Sequence, residues 1–305
     1  MNSEINFDNY NGFSAFKEVP KEIQSYLWKD GFPFYFKHEL KSNSIVICLH
    51  GYTASPYETR PIAAECFKRG IDAAAPLLPG HGFKNLKDQK RELATKMKKD
   101  NMLQFVREEI NFARENYKKV FIYGQSMGGI ISLAIAGENI VDGCAVTAPV
   151  IKLPFGAGLL SWLFSWCDIY IKKKDPQMFD FNEKELKNIK ILKDEYGIYT
   201  IENNDSNNFK YFNLSYSFNH SRSAYHLMKL IYYARKNLNK IKYPILVAHS
   251  HNDNTINPIV TEWIKSKSKG LVKILWFDKS HHTMPLDIQG KEISIEIANF
   301  FENLA

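Results

Sequence analysis

Residues Val120-Phe121-Ile122-Tyr123 run directly into Gly124-Gln125-Ser126-Met127-Gly128, and Gly129 to Ala136 then reads as helix. Four β-favouring apolar residues, a sharp turn and a helix-compatible stretch put a serine at the apex of a strand–turn–helix unit. The glycines have a steric reason to be there. Backbone at such an apex is strained, and side chains at Gly124 and Gly128 would crowd the neighbouring strand and helix. Ser126 Oγ is thereby lifted into the open, with the next amide N–H, that of Met127, facing the same space.

A serine hydroxyl is a poor nucleophile without a base, and the base needs an orienting acid. Pro244 to Ser250 reads as a buried strand running into His251-Asn252-Asp253, so Asp253 falls just past its C-terminal end. Val272 to Phe277 reads as another strand, opening into Asp278-Lys279-Ser280-His281-His282. Loops at the carboxyl ends of an open parallel sheet share one crevice, so these distant stretches are expected to converge. Spacing alone does not separate His281 from His282 as the base. Asp278, nearer the histidines in sequence, closes its own strand and is read as capping the loop or facing water. An oxyanion needs a second amide besides that of Met127. Ser44 to Leu49 is a strand followed by His50-Gly51-Tyr52, and an H-G turn in this position points to the Tyr52 N–H. His50 is read as bracing that loop through its ring nitrogens.

Taken together, Leu49-His50-Gly51-Tyr52-Thr53, Pro79-Gly80-His81-Gly82, Gly124 to Gly129, Asp253 with Ile256-Asn257-Pro258, and Ser280-His281-His282 followed by Leu286-Asp287 span nearly the whole chain. The set resembles the bacterial carboxylesterase and monoacylglycerol lipase group of the α/β-hydrolase superfamily, in that family's order. The resemblance implies an α/β-hydrolase fold, with a mostly parallel central sheet, helices on both faces and a mostly helical cap insertion. It implies Ser126 as nucleophile, Asp253 as the orienting acid, and the Tyr52 and Met127 amides as oxyanion donors. The family's last motif reads S-G-H, which favours His282 as base; here His281 replaces the middle glycine. The activity implied is that of a serine carboxylic-ester hydrolase working through an acyl-enzyme, with no metal or organic cofactor. Medium-chain esters and monoacylglycerols are the expected substrates. Lysophospholipase, thioesterase, peptidase and acyltransferase activities would use the same acyl-enzyme. Haloalkane dehalogenases and epoxide hydrolases place Asp where this chain has Ser126. A non-catalytic binding member of the fold is the alternative from another class, and such proteins usually lose a triad residue that this chain retains.

The chain has 305 residues, enough for one hydrolase core plus an insertion. After Val150 the strand–helix alternation stops until Pro244, too long for a plain connection. The core is assigned to residues 1–150 and 236–305 and the cap to 151–235. The front of the cap, Leu153 to Trp166, is apolar and aromatic but shorter than the roughly 20 residues of a membrane span. It is read either as a helix lining the acyl pocket or as a lid making transient membrane-surface contact, with Lys172 to Lys174 meeting anionic headgroups. Asn204 to Asn208 reads as a loop tip, and Ser221 to Leu238 as a helix with Leu227, Leu230, Ile231 and Ala234 on one face. In the core, helices are expected over Arg60–Arg69 and Lys96–Tyr117, and residues 1 to about 30 form a polar lead with a short helical piece near Lys21 to Trp28. His81 either touches substrate or packs its loop.

Cys48, Cys66, Cys144 and Cys167 show no paired spacing, which favours reduced thiols over a disulfide framework. The N-terminus has no basic region followed by an apolar core, and a cytoplasmic setting is expected. The formal charge of +7 is scattered rather than gathered into a basic stripe with stacking aromatics, so no nucleic-acid partner is expected.

Overall fold

The structure, a computed structural model, describes residues 7–152, 162–173, 190–202 and 211–305. Residues 153–161 of the apolar run, Lys174 and the Asn204–Asn208 tip lie outside the described residues.

In chain order the strands are β1 (Phe34–Phe36), β2 (Ser44–Leu49), β3 (Asp72–Ala75), β4 (Lys119–Gln125), β5 (Gly143–Thr147), β6 (Tyr170–Lys172), β7 (Lys190–Lys193), β8 (Tyr199–Glu202), β9 (Phe218–His220), β10 (Ile245–Ser250) and β11 (Val272–Phe277). The helices are α1 (Lys21–Gln24), α2 (Arg60–Phe67), α3 (Leu86–Lys96), α4 (Lys99–Asn116), α5 (Met127–Ala136), α6 (Ser221–Asn237), α7 (Val260–Lys267) and α8 (Gly290–Glu302). Seven strands form one sheet in the order β1-β3-β2-β4-β5-β10-β11. Only the β1–β3 pairing in this sheet is antiparallel.

Both faces of the sheet are covered, which is why its strands read as continuous apolar runs. Strand alternation divides the core in two. Val120 and Ile122 of β4 face α4, α5, α6 and α7. Phe121 and Tyr123 face α2 and α8, where Phe121 stacks on Phe301. Helix α5 is buried along its whole length, because α6 packs over it on the side away from the sheet. Registers bring the strand ends to one rim. Leu49 lies opposite Gly124, Gln125 opposite Thr147, and Ser250 opposite Phe277. Strand order reverses direction at β2, with β3 on one side and β4 on the other, and crevices form at such points.

Two local expectations are corrected, and one helix start is refined. The helix read over Lys96–Tyr117 begins at Lys99 and is preceded by a separate helix ending at Lys96, because Met97 (φ −72°, ψ 72°) and Lys98 (φ −113°, ψ 144°) leave the helical region. Helix α3 starts at an Asn85 cap, whose side chain accepts the Asp88 N–H at 3.0 Å; this signal is legible in the sequence as Asn three residues before Asp. The N-terminal stretch is not merely polar. Phe7, Phe13, Val19, Ile23 and Leu27 bury against Leu77 and Phe83 as a separate cluster, at irregular spacings that show no period. In the insertion, the described residues add two antiparallel strand pairs, β6–β9 and β7–β8, to what was expected to be mostly helix. Each strand is three or four residues long, too short to display an alternation. The four cysteines are free thiols, Cys167 exposed and the other three buried. Among the described residues, no helix is long and apolar enough to cross a membrane.

Candidate active site

Ser126 follows β4 with φ 53° and ψ −109°. Positive φ costs a non-glycine residue roughly 1–3 kcal/mol and persists only where surroundings impose it. Here the Ser126 N–H donates to Thr147 O at 2.9 Å, and the Ser126 carbonyl accepts the Ile130 N–H at 3.2 Å. The close approach this requires explains the two glycines. A Cβ on Gly124 would lie 2.2 Å from the Gly128 carbonyl carbon, and one on Gly128 would lie 2.1 Å from Leu49 O.

His282 Nε2 is 2.8 Å from Ser126 Oγ, and His282 Nδ1 is 2.9 Å from Asp253 Oδ2. The carboxylate can only accept, so Nδ1 carries the proton and Nε2 is left to accept the Ser126 hydroxyl. Asp253 Oδ1 accepts the amides of Thr255 and Ile256 at 2.8 and 2.9 Å, which fixes the carboxylate plane. Burial alone would raise the Asp253 pKa. Hydrogen bonds from His249, His282 and the Ile256 amide outweigh it and hold this carboxyl below its ordinary range. His249, wholly buried at the end of β10, reaches both Ile256 O (3.2 Å) and Asp253 Oδ2 (3.4 Å) through Nε2.

The rival residues have other partners. His281 gives its N–H and its Nδ1 side to Asp287 Oδ2, at 2.5 and 3.1 Å, and its side chain is 61% exposed. Asp278 pairs with His251 at 2.6 Å on the surface. The histidine loop is pinned from several sides. Gln125 Nε2 donates to His282 O at 2.6 Å, while Thr147 Oγ1, itself bonded to the Tyr123 hydroxyl at 2.6 Å, donates to Gln125 Oε1. Gln289 Oε1 takes the Lys279 and Ser280 amides at 2.8 and 3.2 Å.

The loop after β2 is equally constrained. The Leu78 N–H donates to His50 Nε2 at 3.1 Å, so His50 is the Nδ1–H tautomer, and Nδ1 donates to Gly51 O at 2.9 Å. Burial and the neighbouring His81 keep His50 neutral by lowering its pKa. The Ala54 N–H also reaches Gly51 O, at 3.3 Å. A trans peptide points its N–H opposite its carbonyl, so fixing Gly51 O turns the Tyr52 N–H the other way. Gly51's own N–H is taken by the buried Glu58 Oε2 at 2.6 Å. Burial raises the Glu58 pKa to about 7, against the lowering effects of the Gly51 amide, His282 and Lys173. A Cβ on Gly51 would touch Glu58 Oε2 at 3.0 Å and Ser126 Cβ at 3.5 Å, so the carboxyl lies close to Ser126. The Tyr52 and Met127 amides both stand at this rim. Neither is used in the loop and cap hydrogen bonding among the described residues.

Comparison with known proteins agrees with this architecture. The family model described as "Serine aminopeptidase, S33" (Hydrolase_4) matches residues 41–289. The chain belongs to this family. The S33 protein is also 25% identical over 268 residues to the thermostable monoacylglycerol lipase of Bacillus sp. (strain H-257), covering 84% of this chain and 89% of that protein. Among solved structures it is similar to one described under "LipS and LipT, two metagenome-derived lipolytic enzymes" (TM-score 0.72, 21% identity, 91% of this chain and 99% of that one). It is also similar to the Paleococcus ferrophilus monoacylglycerol lipase (TM-score 0.66, 17% identity, 90% and 99%). These neighbours share the α/β-hydrolase fold.

Within the S33 chain the Pro79-Gly80-His81-Gly82 loop is packed under the site. His81 Nδ1 donates to Pro79 O at 2.9 Å, and the ring lies parallel to Tyr216 of the insertion. Gln125, His249, Glu58 and Lys173 are the residues near this site that sequence reasoning missed. Gln125 alone had a local signal, as the residue between Gly124 and Ser126.

Proposed function

We propose that this S33 protein is a serine carboxylic-ester hydrolase acting on esters with an apolar acyl group, medium-chain esters and monoacylglycerols first. The observation that carries the reading is the hydrogen-bonded line from Asp253 through His282 to Ser126 on a strained elbow. In this reading His282 Nε2 takes the Ser126 proton as Oγ attacks the ester carbonyl. Asp253 keeps His282 in the right tautomer and stabilises the imidazolium. The oxyanion is held by the Tyr52 and Met127 amides, each donor of this kind being worth about 3 kcal/mol. His282 then gives the proton to the departing alcohol, and water activated by the same base releases the acid.

Residues 151–235 serve as the cap over this site. On it, Trp162, Leu163, Phe164, Trp166 and Ile171 are exposed next to Lys172, which favours transient contact with a lipid surface as the way an insoluble ester is met. The buried free thiols suit a reducing, cytoplasmic setting.

The test is a fluorophosphonate probe together with a panel of esters graded by acyl length, run with and without anionic vesicles. The wild type should label and hydrolyse, and Ser126→Ala should do neither. Equal labelling of both proteins defeats the nucleophile assignment. Preference for short soluble esters, unchanged by vesicles, defeats the lipid reading.

A further inference from the structure

The residue after the Tyr52 donor is Thr53, and its φ is 64°. For a β-branched residue this is a true steric outlier, costing roughly 1–3 kcal/mol unless its surroundings impose it. The surroundings that do so come from the insertion. Thr53 O accepts the Tyr216 N–H at 2.9 Å. Thr53 Oγ1 lies 2.6 Å from Lys173 Nζ and 3.2 Å from Ser215 Oγ, and Nζ reaches Ser215 Oγ at 3.0 Å. Lys173 is itself held by its N–H on Ser217 O at 2.9 Å. The Tyr52 side chain is gripped from the same side, by Ser223 Oγ at 2.6 Å and the His220 N–H at 3.1 Å.

An ammonium is strongly hydrated, and enclosing one is costly. Burial accordingly lowers the Lys173 pKa to about 8, with Glu58 opposing the shift. A lysine spent on two hydroxyls, those of Thr53 and Ser215, needs a reason beyond solubility. The Thr53 side chain donates to Tyr52 O at 2.6 Å, which leaves its oxygen free to accept from Lys173. The ammonium is therefore linked through one hydroxyl to the backbone that presents the Tyr52 N–H.

Resting on the serine-hydrolase reading above, we propose that Lys173 is a positioning residue: from the insertion it pins Thr53 and so keeps the Tyr52 N–H in place to receive the oxyanion. Seating the insertion and completing the oxyanion hole are then one event. Substrate binding does not require the interaction, whereas the tetrahedral state does.

The test compares Lys173→Met, Thr53→Val, the double variant and Thr53→Ser with wild type in full-length protein. Lys173→Met should lower kcat about tenfold to a hundredfold, less than the roughly 10²–10³ lost when a donor itself is removed, with KM changed by less than about threefold. Inhibition by a trifluoromethyl ketone, which mimics the tetrahedral state, should weaken by the same factor as kcat, while the non-fluorinated ketone binds as before. Thr53→Val should match Lys173→Met, the double variant should add little, and Thr53→Ser should recover most of what Thr53→Val loses. A kcat within twofold of wild type and an unchanged ketone ratio overturn the proposal, as do additive losses in the double variant. If Lys173→Met does not fold, the Thr53→Val and Thr53→Ser pair decides by the same two readouts. Loss of all activity in Ser126→Ala under the same conditions shows that only the positioning role has failed; activity surviving in Ser126→Ala shows that the hydrolase reading has failed instead.

Discussion

Glu58 offers the sharpest quantitative check on the site, because its burial has a sign and a size. The perturbation is Glu58→Gln, which removes the ionisable group but keeps an oxygen to accept the Gly51 N–H. A carboxyl moved from its ordinary 4.5 to about 7 favours its neutral form by about 3 kcal/mol, at roughly 1.4 kcal/mol per pKa unit. The side chain is buried, so solvent does not screen this. With the pKa raised on folding, the folded chain binds more protons than the unfolded one between pH 4.5 and 7. The contribution is full below the unfolded pKa and is lost as pH rises through 7. Lys173 begins to titrate near 8, so the useful range stops at about pH 7.5. Between pH 5 and pH 7.5 the wild type should lose about 2 kcal/mol relative to Glu58→Gln. The assay is urea unfolding of both proteins at a series of pH values, since the groups not coupled to Glu58 cancel in the difference. Curves that stay parallel within about 0.5 kcal/mol across this range would refute the claim that the Glu58 carboxyl is desolvated against the oxyanion loop.

Other outcomes follow from the same geometry. Asp253→Asn should leave the fold intact yet lower kcat by about 10³–10⁴, because the amide no longer selects the Nδ1–H tautomer; turnover within tenfold of wild type would remove Asp253 from the mechanism. The Asp253 pKa is depressed on folding, so its contribution to stability is present above about pH 4 and lost below it. Asp253→Asn should therefore flatten the acid-unfolding limb. His282→Ala should abolish ester turnover and His281→Ala should keep it within a few-fold, since His281 faces Asp287; the opposite result would exchange their roles. Gly128→Ala should yield little soluble protein, because the new Cβ would stand 2.1 Å from Leu49 O, and normal yield with normal activity would disprove the steric argument.

The core was readable wherever a physical constraint acts within a few residues. Strands β4, β10 and β11 are continuous apolar runs because both sheet faces are covered, and the glycine at 124 is required by contact with Gly128 inside one turn, while that at 128 is required by the close approach of Leu49 on β2. Asp253 and the histidine pair were legible as residues just past strand ends. What separates the histidines is a contact with Asp287, six residues on, which spacing alone does not reveal. The break between α3 and α4 was hidden because amphipathic spacing continues across Met97, whose side chain stays buried. Lys173 meets Thr53 across 120 positions, and Gln125 meets His282 across 157. No local pattern encodes such pairs, and a lysine after a short strand reads as surface until the fold encloses it.

The strained backbone at the rim shows how the two halves of the site are held. Thr53, Ser126 and Ala148 are non-glycine residues at positive φ, and all three follow strands of the central sheet. Ser126 is braced by Thr147 of β5 and by the first turn of α5, so the core supplies the geometry of the proposed nucleophile. Ala148 is tied to the Ala248 carbonyl at 3.0 Å, again within the core. Thr53 differs, since besides the bond of its hydroxyl to Tyr52 O its carbonyl and hydroxyl are held by Tyr216, Ser215 and Lys173. Strain at Ser126, the proposed nucleophile, is therefore offset by the sheet, whereas strain next to Tyr52, the proposed oxyanion donor, is offset by the insertion. Substitutions in the core rim should then act on formation of the acyl-enzyme through Ser126 itself. Substitutions in residues 173 and 215–223 should act on stabilisation of the charge that develops during attack, without touching a reacting atom.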